Sequence, residues 1–505
     1  MNDINLSDIF IVNPAYKFRD DKKRIILTNN DSKYCNINSI INEGKDESNF
    51  AVFIHPIVAY YFSFFSGKTN LDDTIKIISE KTELEYNDIK NTIIHFIENE
   101  ENVFFPFEGL HIHSIPKRFL IKKQSYMPTR DILKNIDLQR ISQDYDYTSI
   151  RHFIPNDITI MVTTNCVTDC IYCYANRREK FKLLSFERIK EIIKEARKLQ
   201  LRDVAISGGD IFAYKHWYDL LIELNNNDYL PELSTKVPIN EDVIVKLKEV
   251  GIRQIQISLD TIDNEEIKKL INVGDSYLVK MEKTLQNMEK HDLKFNVKTV
   301  ITKHNDSIKS INNLLLYLLT FNNFTKISLA PGELSRFKTF DYKTTKEKIK
   351  QLEEYVNVKQ LENIPISCQG YAINENDFSF ETKMKKFKDR SVCTGNLSMF
   401  WILPDGKATL CEQTYWHPYF ILGDLNNQSI MDIWNSDKAL SIWNISRDEI
   451  KLESPCKSCN IFEECRRGKG NCWRIAMDSY GEENYDFPAP NCPFSPPVSV
   501  DKLIC

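Results

Sequence analysis

Glycine is scarce, 15 of 505 residues or about 3%, against a usual ~7%. Where two stand together, as at Gly208-Gly209, the backbone therefore needs them. Long apolar runs are lacking too. The longest, Phe50 to Phe65, is too short to span a bilayer and contains His55 and Pro56. It is expected to be a buried helix, and no membrane partner is expected. The N-terminus, Met1 to Ile9, has Asp3 and Asp8 but no basic residue, which excludes a secretory signal and predicts a cytoplasmic protein. An excess of one charge is also missing. Lys and Arg number 66 against 71 Asp and Glu, a net −5, which excludes a strongly basic nucleic-acid binder and predicts no nucleic-acid partner.

Cysteine is plentiful. There are 13, nine of them between Cys368 and Cys505. An odd count without an export signal argues against a disulfide framework and for metal in a reducing interior.

Three regions separate on pattern. Residues 1–123 read as a small mixed domain, with strands Arg24–Thr28 and Val103–Pro106 enclosing short helices Ile57–Phe65, Leu71–Lys81 and Glu85–Glu98. That order resembles a winged helix-turn-helix. The polar stretch 124–157 reads as a linker. From Ile158 to 363, apolar strands alternate with amphipathic helices: Ile158–Thr163, Val204–Ser207, Leu233–Pro238, Ile252–Leu259, Phe295–Ile301 and Lys326–Ala330. Helix Ser185–Leu199 carries Ile189, Ile192, Ile193 and Ala196 on one face, and Asn240–Val250 repeats the design. Six such units predict an α/β fold, an open partial (β/α)6 TIM-like barrel with its chemistry beyond the C-terminal strand ends. Residues 364–505 are irregular and cysteine-rich, with a core expected to be held by metal more than by apolar packing.

Directly after the first strand comes Cys166-x3-Cys170-x2-Cys173. Three thiolates in one loop can ligate three corners of an iron–sulfur cube and leave one iron open. A structural iron or zinc knot is the plain alternative, but zinc would take a fourth protein ligand. After strand two stands Ser207-Gly208-Gly209-Asp210, and strand four ends Gln256-Ile257-Ser258-Leu259-Asp260. Taken alone, each is an ordinary turn or strand end.

This spacing and placement resemble the radical S-adenosylmethionine (SAM) superfamily. The resemblance implies that the cysteine loop holds a [4Fe–4S] cluster that chelates SAM, and that Gly208, Gly209 and Asp210 stand where a Gly-Gly-Glu element binds the SAM amino group. Asp210 is one methylene shorter than the usual Glu. Tyr172 matches the position near the adenine. Ser258 and Asp260 match the ribose contact, and Asn296 and Lys298 are candidates for the ribose and carboxylate.

Downstream, Cys393-x12-Gly406-x4-Cys411, then Cys456-x2-Cys459-x5-Cys465-x6-Cys472 and Cys492, resemble the SPASM extension with two auxiliary [4Fe–4S] clusters, three in all. The six residues before Cys472 exceed the usual three. The family pattern implies that Cys393, Cys411 and Cys472 hold the inner cluster, with Cys368 or an open iron completing it. Cys456, Cys459, Cys465 and Cys492 would hold the outer one. Zinc is the competing metal. Glu412 matches a position where some members place a catalytic base; an exposed carboxylate is the alternative. The basic runs Lys383–Lys388 and Arg466–Lys469 would steer an acidic peptide or simply face solvent. Cys35 and Cys505 take no role.

The resemblance implies a maturase that cleaves SAM to a 5′-deoxyadenosyl radical and takes a hydrogen from a ribosomally made precursor peptide, forming a thioether or other crosslink. Its leader would bind the N-terminal domain by strand addition, and flavodoxin or ferredoxin would supply electrons. A sulfatase-maturing enzyme is the enzymatic rival, and a non-catalytic iron–sulfur electron carrier the rival from another class. A DNA-binding redox regulator fits the winged helix but not the net acidity.

Overall fold

In the computed structural model, the described residues are 4–29, 51–107, 111–125, 127, 129, 131–133, 136, 145–146, 149–175, 182–332, 335, 337–338, 340–369 and 379–498. Cys35 and Cys505 lie outside them. The chain divides into two compact units, residues 1–156 with 197–203, and 157–196 with 204–505.

The first unit contains an antiparallel sheet of Tyr16–Asp20, Ile25–Asn29 and Ala51–Ile54. Helices Pro56–Phe62, Leu71–Thr82 and Tyr86–Phe96 follow, then the hairpin Val103–Phe107/His111–Ile115. Phe18, Leu27, Ile54, Phe62, Phe65, Ile75 and Phe119 form its shared core. The apolar run Phe50–Phe65 is not one helix. Ala51–Ile54 is a strand, and the helix starts at Pro56, with His55 extended and its ring accepting from Ile57 N at 3.1 Å. Proline bars the helical conformation from the residue before it and suits the first helical position, so the break falls there.

Within the stretch expected as a linker, Asp146, Ser149, Arg151, Ile154 and Pro155 are bound to this unit by two buried arginines and Asp21. Arg24 pairs with Asp21 at 2.9 Å and donates to the carbonyls of Asp146 (3.1 Å), Ser149 and Arg151 (2.8 Å). Arg19 donates to Pro155 O at 2.9 Å, and Ile154 N donates to Asp21 Oδ1 at 2.9 Å. Carbonyls that water would otherwise solvate are satisfied inside the fold.

In the second unit all six expected strands form, in two sheets. Leu233–Thr235, Gln254–Ser258, Lys294–Ile301, Phe324–Pro331 and Ile366–Cys368 pair in parallel, so the sheet continues beyond residue 363. Asp157–Met161 lies between Asp203–Ser207 and Met399–Ile402 in the second sheet, which continues antiparallel through Lys407–Thr409 and Ile421–Asp424. Helix Phe186–Lys198 buries Ile189, Ile192, Ile193 and Ala196 as expected. Asn240 caps its helix by accepting from Val243 N at 3.0 Å.

The C-terminal region has more apolar core than its sequence suggested. Phe400, Ile402, Phe420, Leu422, Ile433 and Trp434 are fully or almost fully buried. Short strands with alternating inward residues and two Ser-capped helices, Ile430–Trp434 and Asp437–Trp443, supply it. Beyond Ile445, a small separate cluster buries Ile445, Ile450, Cys456 and Phe462. Among the described residues no helix is long and apolar enough to cross a membrane.

Candidate active site

The cysteine loop leaves the strand Asp157–Met161 and is pinned at both ends. Val162 N donates to Ser207 O at 3.0 Å, Gly209 N to Thr163 O at 2.7 Å and Asp210 N to Asn165 O at 2.9 Å. Farther along, Asp169 N and Ile171 N donate to Ile271 O and Leu270 O at 3.0 and 2.9 Å. The buried hydroxyl of Thr168 stands between two thiols, 3.3 Å from Cys166 Sγ and 3.6 Å from Cys170 Sγ. Cys173 N donates to Cys170 O at 3.2 Å and turns the third thiol back. Burial pushes the Cys170 thiol up, and the charge of Lys236 acts the other way.

Gly208 and Gly209 are required, for a reason closer than a ligand. A Cβ on Gly209 would lie 2.2 Å from Asn165 O and 2.6 Å from Thr164 O; one on Gly208 would lie 2.8 Å from Thr163 O. The pair lets strand two's exit lie directly against the backbone that leads into Cys166.

Asp210 is 4% exposed. Its Oδ1 accepts from Phe212 N at 3.0 Å, and its Oδ2 from Thr235 Oγ1 at 2.7 Å and Lys236 N at 3.3 Å. Burial pushes its carboxyl up. Three protein donors thus already occupy the carboxylate expected to receive the SAM amino group, and it ties strand two to strand three.

Asp260 is also fully buried. It accepts from the Tyr172 hydroxyl, from Lys236 Nζ at 2.8 Å and from Val300 N at 2.9 Å. It therefore organises the strand ends, whereas Ser258 beside it is half-buried. Ser258 lies across from Lys298, and Gln256 across from Asn296, in parallel register. These four share one face of the sheet, opposite the face that buries Phe295 and Val297. Tyr172 is held at its hydroxyl by Asp260, with Lys236 Nζ 5.6 Å from its ring centre. Burial, then the Asp260 charge, raises the tyrosine well above its ordinary range.

Lys236 was missed by the sequence reading, which placed it inside a strand running to Pro238. The strand ends at Thr235, so Lys236 sits where barrel chemistry is expected, with a side chain 12% exposed.

The outer cysteines are brought together. Cys456, Cys459, Cys465 and Cys492 line one cavity with Phe387, Phe462 and Arg466. Burial pushes the Cys492 thiol up to about 12, and the other three thiols push the same way. Of the inner set, burial pushes the Cys411 thiol up to about 11, with the charges of Glu412 and Cys393 acting the same way, and Cys393 lines a cavity with Asn471 and Trp473, the neighbours of Cys472. Cys368 ends the strand Ile366–Cys368, where burial and Glu353 push its thiol up to about 11. Glu412 accepts from the hydroxyl of Tyr174, the residue after Cys173, at 2.9 Å.

Among the described residues no three His, Cys, Asp or Glu side chains form a closed single-ion site. A cube takes one thiolate per iron, so its ligands stand farther apart than those around one ion. The fit rests on the donors. Two guanidinium groups already point at the outer thiols: Arg466 Nη2 lies 3.2 Å from Cys456 Sγ, and Arg390 Nη2 lies 3.1 Å from Cys465 Sγ. Arg466 is 5% exposed, and its Nη1 is buried with no hydrogen-bond partner among the described residues. A buried cation with an orphaned donor among four thiols fits an anionic group in that cavity.

Comparison with known proteins agrees. Residues 160–317 match the radical SAM superfamily, and residues 393–460 match the SPASM iron–sulfur cluster-binding domain. A GTP 3′,8-cyclase of Clostridium perfringens is 28% identical over 167 residues, 31% of this chain and 50% of that one. The chain thus spans about half the length of the curated relatives it matches. Streptococcus suis SuiB bound to its precursor peptide SuiA superposes over 96% of this chain and 100% of its own, with TM-score 0.62 and 16% identity. SuiB bound to S-adenosylmethionine gives 95% and 99%, TM-score 0.62 and 17% identity. The chain carries a radical SAM domain, which binds SAM and an iron–sulfur cluster, and a SPASM iron–sulfur domain: together, the scaffold of radical SAM/SPASM enzymes.

Proposed function

We propose that this protein is a radical SAM peptide maturase that removes a hydrogen atom from a ribosomally made precursor peptide and forms a thioether or other crosslink. The observation that carries the reading is one chain holding all three parts: the three-cysteine loop at a strand end, the seven cysteines from Cys393 to Cys492, and a separate N-terminal unit with its own core. The likeness to SuiB, whose structure holds a precursor peptide, extends across that N-terminal unit. The cyclase match covers 31% of this chain and half of the cyclase, so it does not speak for a nucleotide substrate.

Cys166, Cys170 and Cys173 would hold one [4Fe–4S] cluster, and the seven SPASM cysteines two more. Once bound, and with a reductant such as flavodoxin or ferredoxin, the first cluster would supply the electron that cleaves SAM to a 5′-deoxyadenosyl radical. The protein's part is placement. The Gly208-Gly209 contact fixes where Cys166 emerges, and Asp260 orients Tyr172 and Lys236. Asn296, Lys298 and Ser258 offer polar groups to the bound SAM. Tyr174 holds Glu412, the candidate base. In the N-terminal unit an extended leader would pair with a strand edge. The test is a peptide encoded beside this gene, incubated with reconstituted protein, SAM and dithionite. Its modification together with 5′-deoxyadenosine supports the reading. Release of 5′-deoxyadenosine with no peptide modified argues for another substrate.

A further inference from the structure

The basic run Arg466–Lys469, expected on a solvated face, is not one at its first residue. Arg466 lies in the short helix Phe462–Gly468 and is buried. It lines both cysteine cavities, the one with Cys456, Cys459, Cys465 and Cys492 and the one with Cys393. Its Nη2 donates to Cys456 Sγ at 3.2 Å and to Asp486 O at 2.8 Å. Its plane lies 5.1 Å from the Trp473 ring centre and 5.8 Å from that of Phe462. Arg390 approaches from the opposite side in sequence. Its Nη2 donates to Cys465 Sγ at 3.1 Å and to Gly470 O at 2.9 Å, while its Nη1 donates to Phe387 O at 2.6 Å. Its guanidinium stacks 3.7 Å over the Phe387 ring. Both forks are locked by carbonyls and rings, so their remaining donors are aimed and not merely nearby.

A surface arginine would leave its charge to water. Here two positive charges are held against thiols of a single set, and a third donor, Arg466 Nη1, waits without a partner among the described residues. The inner set differs: the donor at Cys411 Sγ is a neutral backbone N–H, from Gln413 at 3.5 Å. Hydrogen bonds and positive charge at ligand sulfurs stabilise the reduced, more negative form of a cluster and raise its potential. We infer that Arg466 and Arg390 are positioning residues that make the cluster held by Cys456, Cys459, Cys465 and Cys492 the easier of the two auxiliary clusters to reduce, and so the end point for an electron entering the SPASM domain. The inference rests on the proposed presence of two auxiliary clusters. Each reduction adds one electron to one cluster, supplied in the test by dithionite.

The test is an anaerobic redox titration of the full-length reconstituted protein, followed by electron paramagnetic resonance. It compares the parent with Arg466→Gln, Arg466→Lys and Arg390→Gln. Iron and sulfide content are measured on every sample. The expected result is that Gln at either position lowers the reduction equilibrium constant of one auxiliary signal at least tenfold, about 59 mV for one electron. Arg466→Lys should recover part of the loss, and the other signals should stay in place. Should Arg466→Gln lose its cluster through the broken Asp486 contact, Arg390→Gln and Arg466→Lys still report the potential. Full cluster content with unchanged midpoints in the variants overturns the inference. Parent protein with iron for one cluster only overturns the reading beneath it, so the two failures are told apart.

Discussion

The sharpest structural prediction concerns Gly209. A methyl there would meet Asn165 O at 2.2 Å, Asn165 C at 2.6 Å and Thr164 O at 2.6 Å, all backbone atoms. Even a close carbon–oxygen contact needs about 3.3 Å, so relief requires a shift of about 1 Å in the segment that delivers Cys166. Overpacking of this kind costs roughly 1–3 kcal/mol, and with no side chain to rotate away Gly209→Ala should fall at about the upper end. A 1 Å displacement near reacting groups costs about 10²-fold in rate. Gly208→Ala, with its contact at 2.8 Å to Thr163 O, should be milder, and Gly274→Ala, with nothing within 4 Å, should be neutral. Anaerobic thermal unfolding, bound iron and dithionite-driven 5′-deoxyadenosine release measure all three. Parent-like melting and cleavage in Gly209→Ala, or equal damage from Gly274→Ala, would refute the argument.

Three further outcomes are expected. Replacing Cys166, Cys170 and Cys173 with Ala should abolish SAM cleavage while iron remains at the SPASM cysteines; 5′-deoxyadenosine from the triple variant would contradict the assignment. In the N-terminal unit, burial and then the charges of Arg19, Arg24 and Arg151 hold His152 well below its ordinary 6.5. The unfolded chain therefore binds the proton better, so stability is full above about pH 6.5 and falls below it by up to about 1.4 kcal/mol per unit. Hydrogen exchange of Ile25–Asn29, corrected for intrinsic rates, should show this slope, and His152→Asn should flatten it. Deleting residues 1–156 should spare uncoupled SAM cleavage but abolish tight precursor binding. Equal affinity of the truncated and intact proteins would remove the peptide-recognition role.

Periodicity made the alternating strands and helices legible, because burying one face is the same physical demand wherever the element sits. Helices such as Glu241–Glu249 were announced by a cap and a stripe. Cysteine spacing was equally readable, since the ligand chemistry dictates it. What could not be read depends on three-dimensional neighbours that leave no periodic trace. Arg19 and Arg24 bind carbonyls more than 100 residues away. Gly209 answers to the backbone of Thr164 and Asn165, and Lys236 acquires its place only because its strand stops at Thr235, three residues before Pro238. Arg466 read as part of a charged surface run, whereas the fold turns it inward to thiols. The His55–Pro56 break was visible in the sequence, but the length of the apolar run masked it.

The central claim, radical abstraction from a precursor peptide, is tested most directly by isotope transfer. Reconstituted protein, dithionite and SAM are incubated with the precursor peptide deuterated at its carbon-bound positions, and the 5′-deoxyadenosine is weighed by mass spectrometry. The account predicts deuterium in the 5′-deoxyadenosine, lost in the Cys166, Cys170 and Cys173 triple variant. A peptide that becomes modified while the 5′-deoxyadenosine stays free of deuterium would contradict it.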